Sequence, residues 1–241
     1  MTWLDVLAQQ ARANLTDEVR ERLYARGVTD GQMVDFRIGY LDRTLPELEG
    51  AEDFYRWAKG RRLENVYVFP LTTPLGVTRG FQFRPVERAQ KGYLDFIPYK
   101  EEPVLFGLGQ AMPHVWRQRG IWIVEGVFDL FPLQRHVPNI VATLTARVPD
   151  NLTRVMRRLV DQIWLGYDAD AAGKAAMTQF VRSHGQEFRV HPVYYPQVRM
   201  VGSEQKCKDP GDLWEAWGDE QFGRFIQTVL RSADPMEFSN A

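Results

Sequence analysis

Six carboxylates in three clusters could carry chemistry in this 241-residue chain, and two of the clusters end apolar runs. Glu125 and Asp129 fall in EGVFD, directly after the run IWIV at 121–124. Asp168 and Asp170 fall in DAD, directly after IWLGY at 163–167. Asp209 and Asp212 bracket the Pro-Gly of DPGD. Acids at the ends of apolar runs read as strand-end ligands for divalent cations. Like charges held together repel, which raises one of their pKa values. A hard cation removes that penalty, and Mg²⁺ takes carboxylate oxygens together with substrate phosphates. Two such ions about 3.5–4 Å apart can clamp the attacking and leaving oxygens of an in-line displacement. The chemistry indicated is therefore that of phosphates.

Simpler roles stand beside this one. Asp129 lies one helical turn after Glu125 and either faces the same site or only favours a helix dipole. Asp209 and Asp212 could form an Asp-Pro turn and a cap for a helix through LWEAW. For Asp168 and Asp170, two apart, continued strand geometry would point both side chains to one face.

The elements that must position these acids alternate from residue 120 onward. Strand, helix and strand signals follow one another as IWIVEG, FDLFPLQR, NIVATL, TRVMRRLV, IWLGYD, AAGKAAMTQFVRSH and FRVHPVYY. That order predicts a parallel sheet flanked by helices. Ligands of such sheets gather at the carboxyl ends of the strands, where Glu125 and Asp168 fall.

The half before residue 120 has another texture. Helical spacing predicts helices over 2–26 with a break at 14–16, a short one capped by Thr29, and another over 46–60 with Phe54 and Trp57 inward. VYVFPL and VTRGFQFRP, joined by Thr-Pro-Leu-Gly, predict a hairpin. The stretch 87–102 reads as an exposed basic loop, 110–118 as a short helix, and 219–231 as a C-terminal helix. The fold class expected is α/β, a parallel sheet preceded by a mixed α+β basic subdomain. The expected domains are 1–118, 119–217 and a tail at 218–241.

Composition is that of a soluble globular protein, with 44% hydrophobic and 25% charged residues and a net charge of −1. Residues 51–120 hold eleven Lys and Arg against seven Asp and Glu, ahead of the acidic clusters. A basic half beside an acidic half suits an enzyme that binds a polyanion and metals. Cys207 is the only cysteine, so neither an internal disulfide nor a multi-cysteine zinc site is expected. The polar start MTWLDVLAQQARANLTDE has no signal-peptide pattern, and no apolar run approaches a membrane span. A cytoplasmic protein without membrane contact is expected.

EGVFD, VATLTA, GYDADAAGKAA and KDPGD, in that order, resemble the Toprim domain of DnaG-type bacterial and phage primases. The Toprim fold is shared with topoisomerases and some nucleases. The stretches YARGVTDGQMVDFRIGY, VFPLTTPLGVTRGFQFR, KGYLDF and LFGLGQA resemble the N-terminal part of the same primase core. The resemblance covers about residues 15–217 and implies an RNA polymerase that makes short primers on single-stranded DNA from NTPs. It implies Mg²⁺ or Mn²⁺ on Asp168, Asp170 and Asp209, with Glu125 as ligand or base and Asp129 and Asp212 as further ligands. It implies that Arg26, Arg84, Lys91, Tyr93 and Lys100 touch template, primer or nucleotide.

The sequence departs from the family's pattern in several places. Neither a zinc-ribbon nor a helicase-binding domain is expected in these residues, and the arginines before Phe-Pro-Ile are replaced by Glu64 and Val66. Asp-Pro-Asp has become Asp-Pro-Gly-Asp. A minimal core of phage or mobile-element type is implied, working with a replicative helicase or a separate zinc-binding or template-recognition protein. The competing readings are a Toprim nuclease, which would use the same acids to activate water, and a non-catalytic nucleic-acid-binding replication accessory.

Overall fold

The computed structural model describes residues 2–43, 45–87, 92–98, 105–145, 148, 150–200, 202, 204 and 206–233, with only the backbone at 150–152. The chain forms two compact units, Met1–Gly109 and Gln110–Ala241.

In the first unit, three helices begin where a threonine caps them. Helix α1 (Trp3–Ala13) opens on a capping box between Thr2 and Asp5. Helix α2 (Asp17–Tyr24) is capped by Thr16, and α3 (Asp30–Asp35) opens on a box between Thr29 and Gln32. Each threonine accepts from a backbone N–H that has no partner within its helix. Strands β1 (Gly39–Leu41), β2 (Val66–Thr72), β3 (Thr78–Pro85) and β4 (Leu94–Phe96) form one antiparallel sheet in that order. The predicted hairpin is β2–β3, in register from Val66↔Pro85 to Leu71↔Gly80. Phe54, Phe81, Phe83 and Phe96 are buried between this sheet and the helices, with Trp3 and Trp57 packed against them.

Three expectations need correction here. The helix predicted over 46–60 is only α4 (Glu52–Ala58). Gly50 takes φ +75°, which no helix accommodates, and the Tyr55 hydroxyl satisfies the stretch before it. That hydroxyl donates to the Pro46 carbonyl at 2.7 Å and accepts from the Leu48 N–H at 2.6 Å. The stretch read as an exposed loop contains β4, because Phe96 pairs with Phe81 and enters the aromatic core. Strand β1, three wholly buried residues, carries no alternation and was not predicted.

The second unit is the expected alternation. It runs α5 (Leu108–Gln118), β5 (Gly120–Val124), α6 (Val127–Gln134), β6 (Ile140–Ala142), α7 (Asp150–Leu159), β7 (Gln162–Leu165), α8 (Ala171–His184), β8 (Arg189–Pro192) and α9 (Pro210–Ala233). The four strands are parallel in the order β6-β5-β7-β8 and are flanked by helices. Strand β5 is wholly buried, as a central parallel strand covered on both faces must be. The span α9 is two helices separated by Gly218, whose φ +73° and ψ +170° are not helical: the first carries LWEAW, and the second is the predicted helix over 219–231. No helix among the described residues is long and apolar enough to cross a membrane.

Candidate active site

The order of the strands decides where the acids meet. From β5 the chain moves outward to β6, then returns across β5 to lay down β7 on its other side. The direction of winding therefore reverses between β5 and β7, and ligands of open α/β sheets bind at that point. Glu125 follows the last residue of β5, and Asp168 lies three residues past β7. The two loops touch, with the Asp168 N–H donating to Glu125 Oε1 at 3.4 Å. The loop after β6 holds Glu125 from behind. Thr143 reaches the Val124 carbonyl with its N–H at 3.0 Å and its hydroxyl at 3.2 Å, and the Leu144 N–H reaches the Glu125 carbonyl at 2.9 Å.

The third cluster is brought in by backbone. The Ala169 N–H donates to the Lys208 carbonyl at 2.6 Å, which sets DPGD beside DAD. Pro210 starts α9, where its missing N–H costs nothing. Asp209 precedes it and accepts from the Asp212 N–H through Oδ1 at 2.7 Å. Asp212 turns back, its Oδ2 accepting from the Lys208 N–H at 3.3 Å.

Asp129 and Asp170 follow the same pattern. Asp129 Oδ2 accepts from the Gly126 N–H at 3.0 Å, satisfying a backbone donor at the start of α6. Its other oxygen, Oδ1, and Asp209 Oδ1 both lie 3.4 Å from the point where a side chain on Gly211 would begin. Asp170 is the N-cap of α8 and accepts from the Gly173 N–H through Oδ1 at 2.8 Å. Strand geometry therefore does not persist through DAD, because β7 ends at Leu165 and Asp170 belongs to a helix start. Asp129 and Asp209 meet the simpler expectation of helix caps, but each does so with one oxygen only.

The charges are not at ease with one another. Burial, then the Asp168 charge, pushes the Glu125 carboxyl up to about 7, against the pull of the Asp168 N–H. Burial, then Asp209, pushes Asp168 up, and Lys208 partly offsets this. Burial, then Asp209, also raises Asp212. The Lys208 ammonium stands 3.2 Å from Asp168 Oδ2 and 3.7 Å from Asp209 Oδ2. Burial lowers its pKa, but Asp168 and Asp209 outweigh that and raise it.

A stability effect follows from Glu125. Its folded pKa lies above the unfolded value, so the folded state binds the proton more tightly. Its favourable contribution is whole below about pH 4.5 and is lost as pH rises toward 7. In metal-free buffer, Glu125→Gln is expected to melt with wild type near pH 4.5 and a few degrees above it at pH 7.5. Glu125 is partly buried, so the gain is on the order of 1 kcal/mol after solvent screening. Thermal melts of both proteins across that range check it.

Divalent cations suit this donor set. Hard oxygens converge, three of the acids are raised by burial and mutual repulsion, and a cationic side chain already stands between two of them. Among the described residues, no three His, Cys, Asp or Glu side chains close a metal cage unaided.

The expected basic residues belong to the first unit. Arg84 on β3 stacks over the Tyr93 ring at 3.5 Å, and Tyr93 is half exposed. Arg26 is partly buried just past the C-cap of α2. Lys91 and Lys100 lie outside the described residues. Sequence reasoning gave no role to Lys208, although a lysine directly before an acidic cluster was a usable signal. Nor did it assign one to Thr143 and Leu144, whose signal was the VATLTA stretch.

Comparison with known proteins agrees with this geometry. Residues 122–213 match the family described as Toprim-like. The chain is 30% identical over 169 residues to the DNA primase of Aquifex aeolicus, covering 67% of this chain and 32% of that protein. It spans about a third of the length of the curated relatives it matches. Among solved structures, the DnaG catalytic core superposes with a TM-score of 0.73 at 19% identity, over 96% of this chain and 82% of that one. The DnaG primase catalytic domain bound to single-stranded DNA gives 0.68 at 19% identity, over 96% and 81%.

Proposed function

We propose that this chain, which belongs with the DnaG-type DNA primases by its Toprim-like domain, its relatives and its fold, makes short RNA primers on single-stranded DNA. The reaction is template-directed, metal-dependent nucleotidyl transfer. The observation that carries this reading is the meeting of Glu125, Asp168 and Asp209 at the reversal point of the sheet, with Lys208 between two of them.

Asp168, Asp170 and Asp209 would hold Mg²⁺ or Mn²⁺, with Asp129 and Asp212 as further ligands. Bound metal supplies charge neutralisation of the triphosphate and of its pyrophosphate leaving group. Glu125 is a ligand or the base that takes the proton of the attacking 3′-hydroxyl. A carboxyl with a pKa of about 7 suits that second role at neutral pH. Thr143 and Leu144 fix the backbone beneath it.

Arg26, Arg84, Lys91, Tyr93 and Lys100 contact the phosphates and bases of template, primer or nucleotide. The stacked Arg84–Tyr93 pair offers a cation beside an exposed aromatic face, the combination on which single-stranded nucleic acid stacks. The partners are single-stranded DNA and NTPs, together with a replicative helicase or a separate zinc-binding or template-recognition protein.

The test is incubation of the protein with single-stranded DNA, labelled NTPs and Mn²⁺ or Mg²⁺. New short RNA is expected. Shortened DNA would show a Toprim nuclease instead. A mobility shift with neither product would show a binding accessory, and either outcome overturns the primase reading.

A further inference from the structure

Lys208 bridges two acids of the site by ion pairs. Its ammonium reaches acids from two different segments, Asp168 at 3.2 Å and Asp209 at 3.7 Å. Its backbone is clamped, with the carbonyl accepting from Ala169 and the N–H donating to Asp212. Only the side chain is free to move. A lysine ends in a compact, strongly hydrated point charge on a flexible four-carbon stem.

Exposure separates the partners. The Lys208 side chain is 51% exposed, against 17% for Asp168 and 16% for Asp209. The acids are therefore fixed and shielded, and the cation beside them opens to solvent. Elsewhere, cations of this unit make forked surface pairs, as Arg119 does with Asp161 and Arg157 with Glu187. A guanidinium in such a fork holds both oxygens of one carboxylate. The ammonium of Lys208 instead takes one oxygen from each of two carboxylates and is simpler to displace.

We propose that Lys208 is a tethered counter-ion that competes with the divalent cation for Asp168 and Asp209, so that metal entry requires its release. This rests on the metal-site reading given above. Without metal, Lys208 holds the two acidic segments together against their repulsion. With metal present, its attraction for the same oxygens weakens metal binding and sets the affinity of the site.

Calorimetric titration of MnCl₂ into the metal-stripped full chain, with no nucleotide present, tests this. Wild type, Lys208→Met, Lys208→Arg and Asp168→Asn are compared, with thermal melts of each. Lys208→Met should bind Mn²⁺ about ten-fold more tightly than wild type, a difference of about 1.4 kcal/mol. It should also melt lower than wild type without metal and gain more on metal addition. Lys208→Arg keeps the charge on a group harder to displace and should bind Mn²⁺ no more tightly than wild type. If Lys208→Met does not fold, Lys208→Gln carries the same comparison.

Affinity of Lys208→Met equal to or below wild type would overturn the proposal. If Asp168→Asn weakens Mn²⁺ binding while Lys208→Met leaves it unchanged, the counter-ion role alone fails. If wild type shows neither Mn²⁺ binding nor a metal-induced melting shift, the metal site and the counter-ion role fail together.

Discussion

Asp168→Asn is expected to lower primer synthesis about a thousand-fold or more and to leave single-stranded DNA binding within about two-fold of wild type. Asp168 is the acid on which the site's other contacts converge. It receives the Lys208 ammonium, its backbone N–H reaches Glu125, and its carboxyl feels the Asp209 charge. The amide keeps the shape of the side chain and loses the charge that would hold metal and triphosphate. Nucleic-acid contact is proposed for the first unit, through Arg84 and Tyr93, which this substitution does not touch. Labelled-NTP incorporation and a DNA binding isotherm on the same preparation separate the two effects. Wild-type-like synthesis would sink the assignment of the acid, and loss of both activities would indicate a folding defect.

The second large effect is expected from a residue with no charge. Gly173→Ala should lower synthesis by at least about a hundred-fold and unfold the protein at lower denaturant, at a cost of about 2 kcal/mol or more. A Cβ on Gly173 would overlap the Asp168 carbonyl oxygen and come within 3.0 Å of the Asp168 carbonyl carbon and nitrogen. Those are backbone atoms, so no side chain can swing aside. Either α8 moves away from the sheet or the loop carrying Asp168 moves. In the second case the acid leaves its position relative to Glu125 and Asp209. The same N–H that Asp170 caps is the one on Gly173, so the cap is disturbed as well. Incorporation assays and urea melts test this. Unchanged stability together with unchanged activity would mean that the helix start tolerates a methyl group there.

This glycine also shows what the sequence made legible. DAD followed by AAGKAA was readable as a strand end passing into a helix, and that transition is present. Strand and helix identities after residue 120 were legible because each apolar run is short and bounded by polar residues. The juxtaposition of β5 and β7 was not. Periodicity reports which face of an element is apolar, and says nothing of which strand lies beside which. The cap roles of Asp129, Asp170 and Asp209 show the same limit. An acid at a helix start and an acid facing a cation look alike in a sequence, and each of these side chains spends one oxygen on a backbone N–H. Phe96 was hidden for a different reason. Its strand has three residues inside a polar stretch, and only the aromatic cluster around Phe54 makes it part of a sheet.

Three acids of the site, Asp129, Asp170 and Asp209, each spend one oxygen on a backbone N–H at or beside a helix start. A carboxylate anchored in this way has one oxygen to offer and cannot readily wrap an ion with both. Ca²⁺ takes 6–8 oxygens and often draws two from one carboxylate, whereas Mg²⁺ takes about six in a tight octahedron and keeps several waters. The hydrogen bonds that start three helices thereby favour the smaller ion. Discrimination between the two commonest divalent cations of the cell would then be written into the capping of this fold, with no residue set aside for the purpose.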